Sequence, residues 1–138
     1  MAYQRNIKYP AKSQLNHSVP VVVQSFTTKI RDKKMIVEKR WGNFEQFILN
    51  ETATVKILNI KAGKRISLQR HFQRDEYWKI LSGYGQIQIG DIVYKATPDM
   101  EFTIPVEELH QVTATEDMKI LEISTGYFDE EDIERLSL

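Results

Sequence analysis

No apolar period of about 3.6 residues persists anywhere along this chain. Short runs rich in β-branched and aromatic residues alternate instead with Gly, Asn and Asp turns. Residues 35–41, 44–49, 52–60, 65–71, 76–81, 86–89, 92–95, 102–105, 111–114 and 118–124 read as strands, and residues 20–26, PVVVQSF, as one more. Gly90-Asp91 is a two-residue hairpin signal, and Asn50-Glu51 reads as a second. The acidic end, residues 128–136, suits one short helical turn. Many short strands with this punctuation predict an all-β barrel or sandwich.

Composition narrows the function classes. With 138 residues, 41% hydrophobic and 28% charged, the chain has the size and makeup of one globular domain. A formal net charge of zero leaves no electrostatic footprint for nucleic acid or an anionic membrane. The absence of cysteine removes disulfides, zinc fingers and thiol nucleophiles. Apolar runs are too short to span a bilayer, and the N-terminus, MAYQRNIKYP, lacks the apolar core of a signal peptide. A soluble, cytoplasmic protein is expected. Residues 1–18 are polar and without period, and read as a mobile or docking arm.

The chemistry concentrates between Gly63 and Gly83, GKRISLQRHFQRDEYWKILSG. Gln69 and His71 are two apart, which places both side chains on one face of an extended strand. Glu76 follows after room for a bend and the start of a returning strand. In residues 65–71 the odd positions Arg65, Ser67, Gln69 and His71 are polar and are expected to line a cavity; the even positions are expected to pack in a second layer. An amide oxygen, an imidazole and a carboxylate on facing strands can hold a divalent metal, with His110 as the fourth ligand. Nitrogen and oxygen donors without thiolate suit Zn, Mn, Fe, Co or Ni. Arg74, in the bend, and Arg65 each offer a guanidinium fork to a phosphate, and Ser67 a hydroxyl to a sugar. Arg74 has a plainer reading as the partner of Asp75 or Glu76.

These residues resemble a family. Gly63-x5-Gln69-x-His71-x4-Glu76-x6-Gly83 is similar to the first cupin motif, with Gln for its first His. Asp99-x5-Pro105-x-Glu107-x2-His110-x3-Ala114 is similar to the second, with Asp99 and Glu107 where glycines are usual and Ala114 where Asn is usual. Within cupins the chain resembles the type II mannose-6-phosphate isomerase domain, through Arg40-Trp41-Gly42, Ser67-Leu68-Gln69-x-His71-x-x-Arg74-x-Glu76-x-Trp78, Ile104-Pro105, Tyr127 and Glu131-Asp132-Ile133-x-Arg135. That family usually has His where Tyr77 stands, and often follows a guanylyltransferase domain that has no counterpart in these residues. The resemblance implies a jelly-roll cupin domain over residues 37–138, preceded by an extension over residues 1–36 with one strand.

It favours zinc among the possible metals, and implies a metal-dependent isomerase of mannose 6-phosphate and fructose 6-phosphate acting through an enediolate. A non-catalytic cupin binding a sugar or sugar nucleotide is the alternative. Gln69 stands against an oxygen-using cupin, whose sites usually carry three histidines. Cupins also commonly pair through strands outside the barrel, so a homodimer joined through residues 21–26 is expected.

Overall fold

The computed structural model describes residues 34–137; the strand expected at 20–26 and nearly all of the 1–36 extension lie outside the described residues. Eleven strands follow in order: β1 (Met35–Lys39), β2 (Gly42–Gln46), β3 (Thr54–Ile60), β4 (Leu68–Arg70), β5 (Arg74–Ser82), β6 (Gly85–Ile89), β7 (Ile92–Ala96), β8 (Glu101–Ile104), β9 (His110–Ala114), β10 (Met118–Gly126) and β11 (Glu134–Ser137). They form a β1-β2 hairpin, a four-stranded sheet ordered β3-β10-β5-β8, and a five-stranded sheet ordered β11-β4-β9-β6-β7.

The two larger sheets lie face to face as a jelly roll; they do not hydrogen-bond into a closed barrel. Trp78, Ile80, Phe102, Ile104, Met118 and Ile120 come from one inner face, and Ile87, Val112 and Ala114 from the other, in one apolar cluster. Among the described residues no helix is long and apolar enough to cross a membrane.

Strand β5 explains why the sequence from Arg74 to Ile80 shows no clean alternation. Arg74, Glu76, Trp78 and Ile80 point between the sheets; Asp75, Tyr77 and Lys79 point the other way, yet all seven are buried. The outer face is covered as well. Phe47 and Ile48 pack with Tyr77 and Ile123, and the rings of Phe47 and Tyr77 lie 5.7 Å apart. Glu45 on β2 accepts Lys34 at 2.7 Å and Lys79 at 2.6 Å, while the Tyr77 hydroxyl donates to Glu101. These contacts fasten the hairpin to the back of the sheet.

Two local expectations change. The hairpin turn is Arg40-Trp41, not Asn50-Glu51: Lys39 pairs with Gly42, and β3 pairs with β10 instead of β2. The apolar residues after Gln46 are drawn off to cover Tyr77, so they never form a ladder with β3. The acidic end makes a turn and then strand β11, which pairs with β4. A helical turn there would leave that side of β4 without backbone partners. The Gly90-Asp91 hairpin forms as expected, with Ile89 opposite Ile92.

Asp99 and Glu107, which stand where the motif usually has glycine, have φ of 70° and 69°. The backbone keeps a conformation that L-residues seldom adopt, and Glu107 is held there by its N–H donating to the His71 carbonyl at 2.7 Å.

Candidate metal centre

His71, Glu76 and His110 reach one place from three directions. His71 follows β4 and opens the bend into β5, Glu76 sits on the inner face of β5, and His110 opens β9 in the opposite sheet. Each offers a ligand atom within 4.8 Å of the others, and all three side chains are buried. Glu76 Oε1 lies 3.0 Å from His71 Nε2, and Oε2 lies 3.5 Å from His110 Nε2. The Trp78 indole N–H donates to Glu76 Oε2 at 3.0 Å, and the Trp78 ring meets His110 edge-on at 5.5 Å.

Backbone carbonyls set the orientation of both imidazoles. Nδ1–H of His71 donates to the Asp132 carbonyl at 2.8 Å, and Nδ1–H of His110 to the Glu108 carbonyl at 2.9 Å. A carbonyl only accepts, so each ring carries a proton on Nδ1 and turns Nε2 toward the carboxylate: a neutral ring offers a lone pair there for a cation, and a protonated one donates to Glu76. The Asp132 carboxylate in turn accepts the N–H groups of Phe72 and Gln73 at 3.0 and 2.9 Å, which fixes the bend carrying His71.

The residues fit a cation. His110 Nε2 is buried without a hydrogen-bond partner, and such an atom is costly unless something coordinates it. Burial holds His110 below its ordinary pKa, against the charge of Glu76, so the ring favours the neutral, ligating form. Burial also pushes Glu76 upward, but the His71 bond and the charges of His110, His71 and Arg74 outweigh it and leave the carboxyl below its usual range. Two imidazole nitrogens and a carboxylate oxygen make a set that accepts Zn, Mn, Fe, Co or Ni.

The other expected site residues divide. Gln69 lies opposite His110 in the β4–β9 ladder, so its side chain shares the inner face; its Oε1 accepts the Ser67 hydroxyl at 2.8 Å. The strict alternation expected over residues 65–71 does not hold. Arg65 is exposed and pairs with Thr113, whereas Gln69 pairs with His110, so the register slips by one between them. Ile66 packs on the core and Arg65 turns outward.

Arg74 is buried beside the ligands. It donates to the Asp129 carbonyl at 2.9 Å, approaches Glu76 Oε1 at 3.4 Å, and lies over the Phe128 ring. Its plainer role as partner of Glu76 is therefore present. Tyr77 lies on the far side of the sheet from all of these.

Sequence reasoning missed Glu122, Lys56 and the anchoring role of Asp132. Glu122 is signalled by parity alone: it continues the inward series Met118, Ile120, yet is charged. Burial, then the charge of Glu76, raises its pKa to about 7 against Lys56, Arg74 and His71. Lys56 faces it across the β3–β10 ladder and reaches Glu130 at 2.7 Å, with its ammonium over Phe128.

Comparison with known proteins agrees with this architecture. A family described as mannose-6-phosphate isomerase C-terminal matches residues 27–137. The alginate biosynthesis protein AlgA of Pseudomonas aeruginosa is 32% identical over 103 residues, covering 72% of this chain and 21% of that protein. Mannose-1-phosphate guanylyltransferase 2 of Escherichia coli O157:H7 is 28% identical over 131 residues, covering 90% of this chain and 27% of that protein. The chain thus spans about a fifth to a quarter of these relatives. Among solved structures, the capsular polysaccharide assembling protein CapF of Staphylococcus aureus superposes with a TM-score of 0.58 at 21% identity, over 76% of this chain and 33% of that one. A putative sugar phosphate isomerase from Acidithiobacillus ferrooxidans gives 0.51 at 20% identity, over 57% and 53%. At these identities the two structures speak to the fold alone.

Proposed function

The chain belongs to the mannose-6-phosphate isomerase C-terminal family, and from that premise we propose that it interconverts mannose 6-phosphate and fructose 6-phosphate at a divalent metal. The observation that carries the proposal is the buried, partnerless Nε2 of His110 facing Glu76 and His71. His71 and His110 would hold the cation through Nε2, Glu76 through its carboxylate, and Gln69 through the lone pair its amide oxygen keeps beyond the Ser67 bond. Bound there, zinc or a similar cation supplies positive charge for the sugar's carbonyl oxygen and for the enediolate that develops from it.

The chain's own groups do the rest. The Asp132 and Glu108 carbonyls keep both imidazoles turned toward the site. Arg74, buried beside Glu76, is proposed to meet the phosphate by exchanging its backbone partners, and Ser67 to meet a sugar hydroxyl. The exposed, outward Arg65 has no part in this arrangement.

The rival reading is a cupin that binds a sugar or sugar nucleotide without turning it over, and the departure from the family's pattern next to Glu76 is Tyr77. That residue packs against Phe47 and Ile123 on the opposite face, so replacing the family's usual His leaves the metal-facing surface unchanged. The test is a coupled isomerase assay on the full chain loaded in turn with Zn, Mn, Co, Fe and Ni. Cation-dependent turnover that disappears in His71→Ala and His110→Ala is expected. Tight sugar binding without turnover under every metal overturns the enzymatic proposal.

A further inference from the structure

We infer that Glu122 is the group that moves the proton between the two carbons of the sugar. This rests on the isomerase reading above, which leaves that group unnamed. Glu122 lies opposite Trp78 in the β5–β10 ladder and opposite Lys56 in the β3–β10 ladder. Side chains opposite one another share a face, so Glu122 projects between the sheets, one inward position along from the Glu76–Ser124 pair.

It is the one inward carboxyl in this region left without a fixed partner among the described residues. Glu76 is bound by His71 and Trp78, and Asp132 by the Phe72 and Gln73 amides. Glu122 is 6% exposed and forms no hydrogen bond or ion pair through its carboxyl among the described residues. Packing alone calls for an apolar residue there, as at Ile120 one inward position before. A buried carboxyl with nothing to hold it is destabilising, and such groups concentrate where proton transfer is needed. Its raised proton affinity, set by burial and Glu76, suits a group that must both take and return a proton near neutral pH.

The step balances without an oxidant or reductant. With the sugar in its open aldehyde form, the Glu122 carboxylate takes the proton from C2. The C2–H electron pair becomes the second C1–C2 bond, and the carbonyl π pair moves to O1, which gains a proton. The carboxylic acid then returns its proton to C1, while O2 releases its own proton as the C2 carbonyl forms. One hydrogen has moved from C2 to C1 and one from O2 to O1.

The experiment uses the metal-loaded full chain and compares wild type, Glu122→Gln and Glu122→Asp. Turnover, incorporation of solvent deuterium into the sugar, metal content and thermal melting are measured for each. Loss of about 10²–10⁴-fold in kcat is expected for Glu122→Gln, with metal content unchanged, a folded melt, and deuterium incorporation falling in step. Glu122→Asp is expected to restore part of the rate. A Glu122→Gln enzyme that keeps wild-type kcat and deuterium incorporation overturns the assignment while leaving the isomerase reading intact. Absence of turnover and of exchange in the wild type, under every metal, overturns both.

Discussion

In the metal-free protein, Glu122→Gln is expected to stabilise the fold relative to wild type progressively as pH rises from about 4.5 through about 7. The ordinary carboxyl value is 4.5, and burial followed by the Glu76 charge raises Glu122 to about 7. A group with a raised folded-state pKa gives stability that is complete below the unfolded value and lost as pH rises through the folded value. From 4.5 to about 7, at about 1.4 kcal/mol per pH unit, the wild type forfeits about 3 kcal/mol by pH 8. A neutral amide of the same shape has no such loss.

Two neighbours change with pH in the opposite sense. His110, held low chiefly by burial, weakens the fold as pH drops below about 6.5. Glu76, lowered despite its burial, contributes stability above 4.5 that is lost in acid. Comparing wild type with Glu122→Gln at each pH cancels most of both effects. Melting after chelation, from pH 4 to pH 8.5, is therefore expected to show near-equal stabilities at the acid end. At the alkaline end the variant should gain about 10 °C, at roughly 3–5 °C per kcal/mol for a chain of this length. A difference that stays constant with pH refutes the reasoning, because it places the Glu122 carboxyl in water or beside an unrecognised donor.

Saturating zinc at about 100 times its dissociation constant is expected to raise wild-type stability by about 2.7 kcal/mol, and His110→Ala to abolish that rise in the same melt. Asp132→Ala removes the acceptor of the Phe72 and Gln73 amides, so it is expected to cost about 1–3 kcal/mol and to weaken metal affinity about 10–100-fold, read by calorimetry. Tyr77→His is expected to leave metal affinity unchanged and to lose about 1 kcal/mol with the hydroxyl's bond to Glu101, read by the same titration and a denaturant melt. Deleting residues 1–30 is expected to turn the proposed homodimer into monomers; an unchanged mass in solution refutes pairing through that segment.

How far the sequence disclosed the site depended on whether the signal was local. His71 and Glu76 were legible because their spacing fits a bend between two strands, and His110 because a proline-bounded turn precedes it. Alternation failed at Arg65 because a one-residue slip in register leaves no mark in composition yet reverses every side chain beyond it. The hairpin was misplaced because Phe47 and Ile48 are as apolar as strand residues. They serve to cover Tyr77, a contact that depends on the back of β5 being buried as well as the front.

The case of Tyr77 shows why neighbours in sequence can be remote in function. It adjoins Glu76, yet its departure from the family's usual His does not reach the metal-facing surface. On a strand, adjacency sends two side chains to opposite faces. The residue that does share the inner face, Glu122, lies forty-six positions from Glu76 and is reached only through the antiparallel pairing of β5 with β10. A charged residue at an inward parity position, between apolar neighbours of the same parity, is the signal that identifies it. That signal becomes readable only once the strand has been assigned a face, and here Met118 and Ile120 assign it.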